Sequence, residues 1–239
     1  TAGIGSEVGR AALITLNDGR KLGFISPHMI PEVAICDPEL TLGLPPYLTA
    51  ATGMDAITHC IETYLSPRDN PPAEAIAIDG LKRAMRHIRQ AVSDGSDRQA
   101  RREMMMASLQ GGLTFQKGLG AVHSMSHALG GLQEPRLHHG TLNAVLLPAV
   151  LRFNEPSAPE KYAEIRKAME LAPEADLAEA IAQLTKELGL PRTLAEMGVP
   201  RDCLPAMVDR AFLDHSTATN PRPITRDDFA ALFEEAMDY

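Results

Sequence analysis

The chain has 239 residues, 44% apolar and 23% charged, with a net charge of −8. That balance suits a globular enzyme with a substantial core, and an acidic excess without any basic run argues against nucleic acid or an anionic membrane surface as partner. Three scattered cysteines without CxxC spacing, Cys36, Cys60 and Cys203, fit a reducing compartment, and no apolar run approaches the ~20 residues that span a bilayer, so a soluble, cytoplasmic protein acting on a small molecule is expected.

The chain opens at Thr1, not at Met, inside the small-residue run TAGIGSEVG. An amino-terminal part is therefore expected upstream. From Ser6 to Cys36 the texture is extended: VGRAALITL and KLGFIS flank Asn17-Asp18-Gly19, the signature of a hairpin. Val33-Ala34-Ile35-Cys36 then reads as a buried strand that stops at Asp37-Pro38, where proline cannot continue it. Past Pro45-Pro46, helical periodicity and strong helix formers take over. The predicted organisation is thus an α/β amino-terminal remnant, residues 1–40, followed by a mainly α-helical domain, residues 41–239.

Helices are predicted at 48–65, 73–92, 97–113, 120–131, 140–153, 158–170, 175–188 and 226–237. Asn70-Pro71-Pro72 separates the first two, Gly189 ends the seventh, and Thr225 with Asp228 forms a capping arrangement for the last. The run Met104-Met105-Met106 is assigned to core filling rather than to a binding surface.

Residues 53–60, GMDAITHC, place Asp55 and His59 four apart on one helical face, where both can address a single centre. Such a pair on a surface is ordinary and contributes only a few tenths of a kcal/mol. The rest of the chain gives it weight. Half of the eight histidines fall in AVHSMSHALGGLQEPRLHHGTLNAVLLP, as His123, His127, His138 and His139. His123 and His127 repeat the i, i+4 spacing on a small, apolar helix whose texture implies burial. Any one of them could be a core imidazole satisfied by a backbone carbonyl, but two i, i+4 pairs with a further histidine heading the next helix exceed what packing requires. One carboxylate with two or three imidazoles suits Zn(II) or Fe(II). Cys60 faces about 100° away from His59 on an ideal helix and is not expected to ligate.

The stretches TAATGMDAITHCIETYLS, GLGAVHSMSHALGG and HHGTLNAVLLPAVLRFN, in that order, resemble the iron-containing, or group III metal-dependent, alcohol dehydrogenases. The likeness extends over nearly the whole chain, from TAGIGSE to the carboxyl-terminal helices. It implies a dinucleotide-binding domain followed by an all-helical one, with NAD or NADP and a divalent metal in the cleft between them. By that resemblance Asp55, His59, His123 and His139 are the metal ligands, with Fe(II), or Zn(II), as the ion. His127 corresponds to the family's histidine near the nicotinamide, with a role in proton relay. Thr1, Ala2 and Gly3 match the turn that approaches the cofactor, Lys21 a lysine beside it, and Leu40 and Thr41 the segment that lines the nucleotide. Dimers are common in the family, so a homodimer is a further implied partner state.

Two positions depart from the pattern. Ile4 stands where the family usually carries Thr or Ser, and His138 stands where a proline usually precedes the last metal histidine, with a gap from His123 two residues longer. His138 is therefore a rival for His139, which is preferred because Gly140 and NAVLLP keep register behind it. The glycine-rich phosphate turn of the family lies upstream of residue 1.

The implied reaction is hydride transfer between NAD(P) and a small alcohol or aldehyde, with the metal as Lewis acid on the substrate oxygen. The low aromatic content, 4%, favours a small aliphatic substrate. Two other readings use the same residues: a hydrolase or lyase with metal-bound water as nucleophile, and a catalytically incomplete helical fragment that only binds metal.

Overall fold

The computed structural model describes residues 1–17 and 21–238, apart from the side chains of Lys21 and Leu22. The proposed hairpin turn thus lies partly outside the described residues. Its two strands are present, β1 (Ala11–Thr15) and β2 (Lys21–Ile25), paired antiparallel with Ala11 opposite Ile25 and Thr15 opposite Lys21. After Pro45 the chain is helical: α1 (Pro46–Leu65), α2 (Pro71–Ser93), α3 (Arg98–Leu113), α4 (Ala121–Leu129), α5 (His139–Asn154), α6 (Pro159–Ala168), α7 (Leu177–Glu187), α8 (Leu204–Phe212) and α9 (Arg226–Asp238). A mainly helical domain preceded by a short extended segment is the architecture the sequence predicts.

The boundaries follow local chemistry. Asn70 caps α2 by accepting from the Ala73 N–H, with Pro71 in the first turn. Gly189 takes a left-handed φ of 70° just past α7. At the start of α9 the Asp228 carboxylate accepts from the Thr225 N–H and hydroxyl, and the Thr225 hydroxyl accepts from the Asp228 N–H.

At the centre runs α1, packed against α2, α3 and α5. Nearly every residue from Thr49 to Leu65 is buried, polar ones included, the behaviour of a helix enclosed on all sides. Gly140 lets α5 approach α1 so closely that a Cβ added there would stand 2.2 Å from the Ala51 carbonyl oxygen. All of α4 is buried too, and it packs on α5 and α8. Of the methionine run, Met104 is in the core as expected for filler, while Met105 and Met106 are half-buried.

Two expectations need correction. The run at residues 33–36 forms no strand, and Val33 and Ile35 are 77% and 86% exposed. Its apolar residues find neither a pairing strand nor a packing face among the described residues. Conversely, α8 is absent from the predicted helices. Its apolar positions, Leu204, Met207, Val208 and Ala211, have proper i, i+3, i+4, i+7 spacing, but nine residues between Pro200 and the polar run after Phe212 make a short signal. No described helix is long and apolar enough to cross a membrane.

Candidate metal centre

Asp55 and His59 come from the middle of α1, His123 from α4, and His139 is the first residue of α5. One donor atom from each lies within 4.8 Å of the others. Asp55 Oδ1 is 3.4 Å from His59 Nε2, 3.7 Å from His123 Nε2 and 3.6 Å from His139 Nε2. Ligands at 2.0–2.1 Å on a tetrahedral ion stand about 3.3–3.4 Å apart, so these separations need little closing.

Each imidazole is held by its other nitrogen. His59 Nδ1 donates to the Gly3 carbonyl at 3.1 Å, His123 Nδ1 to Glu62 Oε2 at 2.6 Å, and His139 Nδ1 lies 3.4 Å from Ser126 Oγ. This leaves all three Nε2 atoms turned toward Asp55, the orientation that a ligating histidine takes when its far nitrogen is bonded. Burial pushes the His59 imidazole down to about 4 and drives His139 well below its ordinary value. Burial opposes the charge of His123 as well, but hydrogen bonds to Asp55 and Glu62 overcome it and lift the group to about 9. Asp55 is raised by burial and more strongly lowered by His59, His139 and His123, so it stays ionised. A cation entering here would displace the His123 proton.

One buried polar atom marks the centre. The Asn143 amide nitrogen is 2.7 Å from Asp55 Oδ1 and 3.3 Å from both His123 Nε2 and His139 Nε2, while its Oδ1 is buried without a hydrogen-bond partner. A buried acceptor left unmatched on the side chain that spans Asp55, His123 and His139 is costly for packing alone. The donor set, one hard carboxylate and three borderline imidazoles, fits Fe(II) or Zn(II).

The rival His138 is exposed and turned to Thr141, its Nδ1 3.4 Å from the hydroxyl, outside the donor set. Cys60 points away, its buried Sγ 3.9 Å from the Ala107 carbonyl. The His127 ring stacks on His139 at 5.6 Å, and its Nδ1 meets Asp214 Oδ2 at 3.0 Å. Burial lowers the His127 pKa, and Asp214 partly opposes that.

His59, His123, His127 and His139 open on a cavity of about 300 Å³ that Ile4 also lines. Thr1, Ala2, Leu40 and Thr41 lie away from it: Thr1 and Leu40 are exposed, and Ala2 and Thr41 share a water-sized gap with Thr52 and Arg101. Gly3 reaches the centre only through its carbonyl. The side chain of Lys21 is outside the described residues.

Sequence reasoning overlooked Glu62, Asn143, Asp214 and His215. Glu62 follows Asp55 and His59 at i+7 and i+3, and Asn143 follows His139 at i+4, so helical spacing carried a signal for both. Asp214 and His215 follow the unrecognised α8.

The model of the carboxyl-terminal part of the Fe-containing alcohol dehydrogenase family matches residues 49–237. The chain belongs to that family. It is 54% identical to the 4-hydroxybutyrate dehydrogenase of Cupriavidus necator over 99% of this chain and 64% of the relative. Against the 1,3-propanediol dehydrogenase of Citrobacter freundii the identity is 42%, over 99% of this chain and 63% of the relative. The crystal structure of a 1,3-propanediol oxidoreductase superposes with a TM-score of 0.92 at 41% identity, over 99% of this chain and 64% of that one. The chain therefore spans somewhat under two thirds of the length of these relatives.

Proposed function

We propose that this chain is the metal-binding part of an NAD(P)-dependent dehydrogenase that interconverts a small aliphatic alcohol and its aldehyde. The observation that carries the reading is the convergence of Asp55, His59, His123 and His139 on the wall of a cavity large enough for such a substrate.

Fe(II), or Zn(II), when bound supplies a Lewis acid, and the nicotinamide supplies the hydride acceptor. The chain's own residues do the rest. Asp55 and the three Nε2 atoms hold the ion, and Glu62, the Gly3 carbonyl and Ser126 fix the rings that present them. His127, with Nδ1 tied to Asp214 and a lowered pKa, is neutral near pH 7 and has Nε2 available to accept the proton that the alcohol loses. Ile4, Leu13, Ile25 and Leu119 give the cavity an apolar wall against which an aliphatic chain can lie. Arg10 and Arg68 line the same cavity, and no Asp or Glu does so among the described residues. That lining favours a short hydroxy acid, and the relative from Cupriavidus necator is named for one, 4-hydroxybutyrate.

Replacing His123 and His127 separately with alanine tests the assignment. His123→Ala should abolish the tightly bound metal together with turnover of NAD(P) and 4-hydroxybutyrate, whereas His127→Ala should keep the tightly bound metal while turnover falls. Loss of the tightly bound ion from both, or its retention by His123→Ala, would overturn it.

A further inference from the structure

Beside the metal centre lies a second set of donors. His127, Asp214 and His215 place one donor atom each within 4.8 Å of one another. Asp214 uses a different oxygen for each imidazole: Oδ2 is 3.0 Å from His127 Nδ1, and Oδ1 is 3.6 Å from His215 Nδ1. The carboxylate is itself fixed, because Oδ1 accepts the Ser216 N–H at 2.8 Å. The two rings lie nearly parallel, 5.7 Å apart. The 4.8 Å spread of one donor atom from each residue exceeds the ~3.3–3.4 Å edge of a tetrahedral zinc site, so the rings close inward on an ion, and two imidazoles with one carboxylate make a three-ligand set that keeps its fourth position open.

Access and surroundings agree with a ligand site. His127 is buried but His215 is 44% exposed, and both face the cavity. Ser216, which also lines the cavity, holds a buried hydroxyl without a hydrogen-bond partner among the described residues. A simple His127–Asp214 ion pair explains neither that hydroxyl nor the approach of His215 to the other carboxylate oxygen.

We propose that His127, Asp214 and His215 form a second, weaker site for a divalent transition metal of the Zn(II) type, and that its occupation withdraws His127 from proton transfer. The site itself follows from the geometry; its inhibitory effect rests on the proposed dehydrogenase reading. Because His127 stacks against His139, an ion here sits close to the first, and like-charge repulsion makes it the second to bind.

Titration of the chain with Zn(II) by calorimetry tests this. Wild type should take up two ions in separable steps, and His215→Ala should keep the first while weakening the second by about tenfold or more. His123→Ala should lose the tight step and keep the weak one. In the holoenzyme, the fraction of turnover lost to excess zinc should fall in His215→Ala. A single step in wild type, or a second step that His215→Ala and Asp214→Asn both leave intact, would overturn the second site. Loss of the tight step's dependence on His123 would instead overturn the first.

Discussion

The first 40 residues and the helical body obey different rules. In the body, apolar side chains at helical spacing bury one another, and α1 carries Asp55 and His59, two of the proposed metal ligands, packed among α2, α3 and α5. In the amino-terminal segment, Ile14, Phe24, Ile25, Val33, Ile35 and Leu40 are all exposed, and the buried positions are glycines such as Gly3 and Gly5. A helix brings its own hydrogen bonds, so periodicity places it wherever the helix is long enough to carry the signal. An extended run becomes a strand only when another strand accepts it.

Stability measurements sharpen that contrast most strongly. Ile57 and Ile61 are fully buried in α1, and either substitution to alanine should cost about 2–5 kcal/mol in denaturant unfolding. Val33→Ser should change it by less than about 0.5 kcal/mol. Comparable losses in both regions would break the distinction. Gly140→Ala comes next, since its methyl would meet the Ala51 carbonyl at 2.2 Å. Pushing α5 from α1 should cost about 1–3 kcal/mol and displace His139, so the melting temperature and metal affinity should drop together.

How much was legible in the sequence divides along the same line. Asp55, His59, His123 and His139 could be read because a helix repeats every 3.6 residues and each pair announces a common face. Glu62 and Asn143 belong to those faces but look like ordinary polar residues until His123 and Asp55 are seen against them. Asp214 and His215 were out of reach once α8 was missed, since the loop after it meets His127 across 87 residues of chain. Residues 33–36 carry the composition of a buried strand, and composition cannot supply a neighbour.

Smaller effects probe the shell around the proposed metal centre. Glu62→Gln keeps the shape but weakens the hold on His123 Nδ1, and metal affinity by chelator competition should fall about 10–100-fold. An unchanged affinity would mean that Glu62 serves only the amino terminus of α4, where its Oε1 accepts the Val122 N–H at 2.8 Å. For the metal-free chain, His59 sits at about 4 against 6.5 when unfolded. The unfolded state therefore binds the extra proton between those values, and stability should fall as pH drops from about 6.5 to about 4. His123, lifted to about 9, acts in a separate window: its contribution is complete below 6.5 and is lost as pH rises through 9. Urea midpoints at pH 7 and pH 5 check the first; a higher midpoint at pH 5 would contradict it.

The most direct measurement is an anomalous-difference map at the iron edge from crystals given one equivalent of Fe(II). A single peak within about 2.0–2.2 Å of donor atoms from Asp55, His59, His123 and His139 is the expected result. A peak bound by any other residues, or none at that centre, would contradict it.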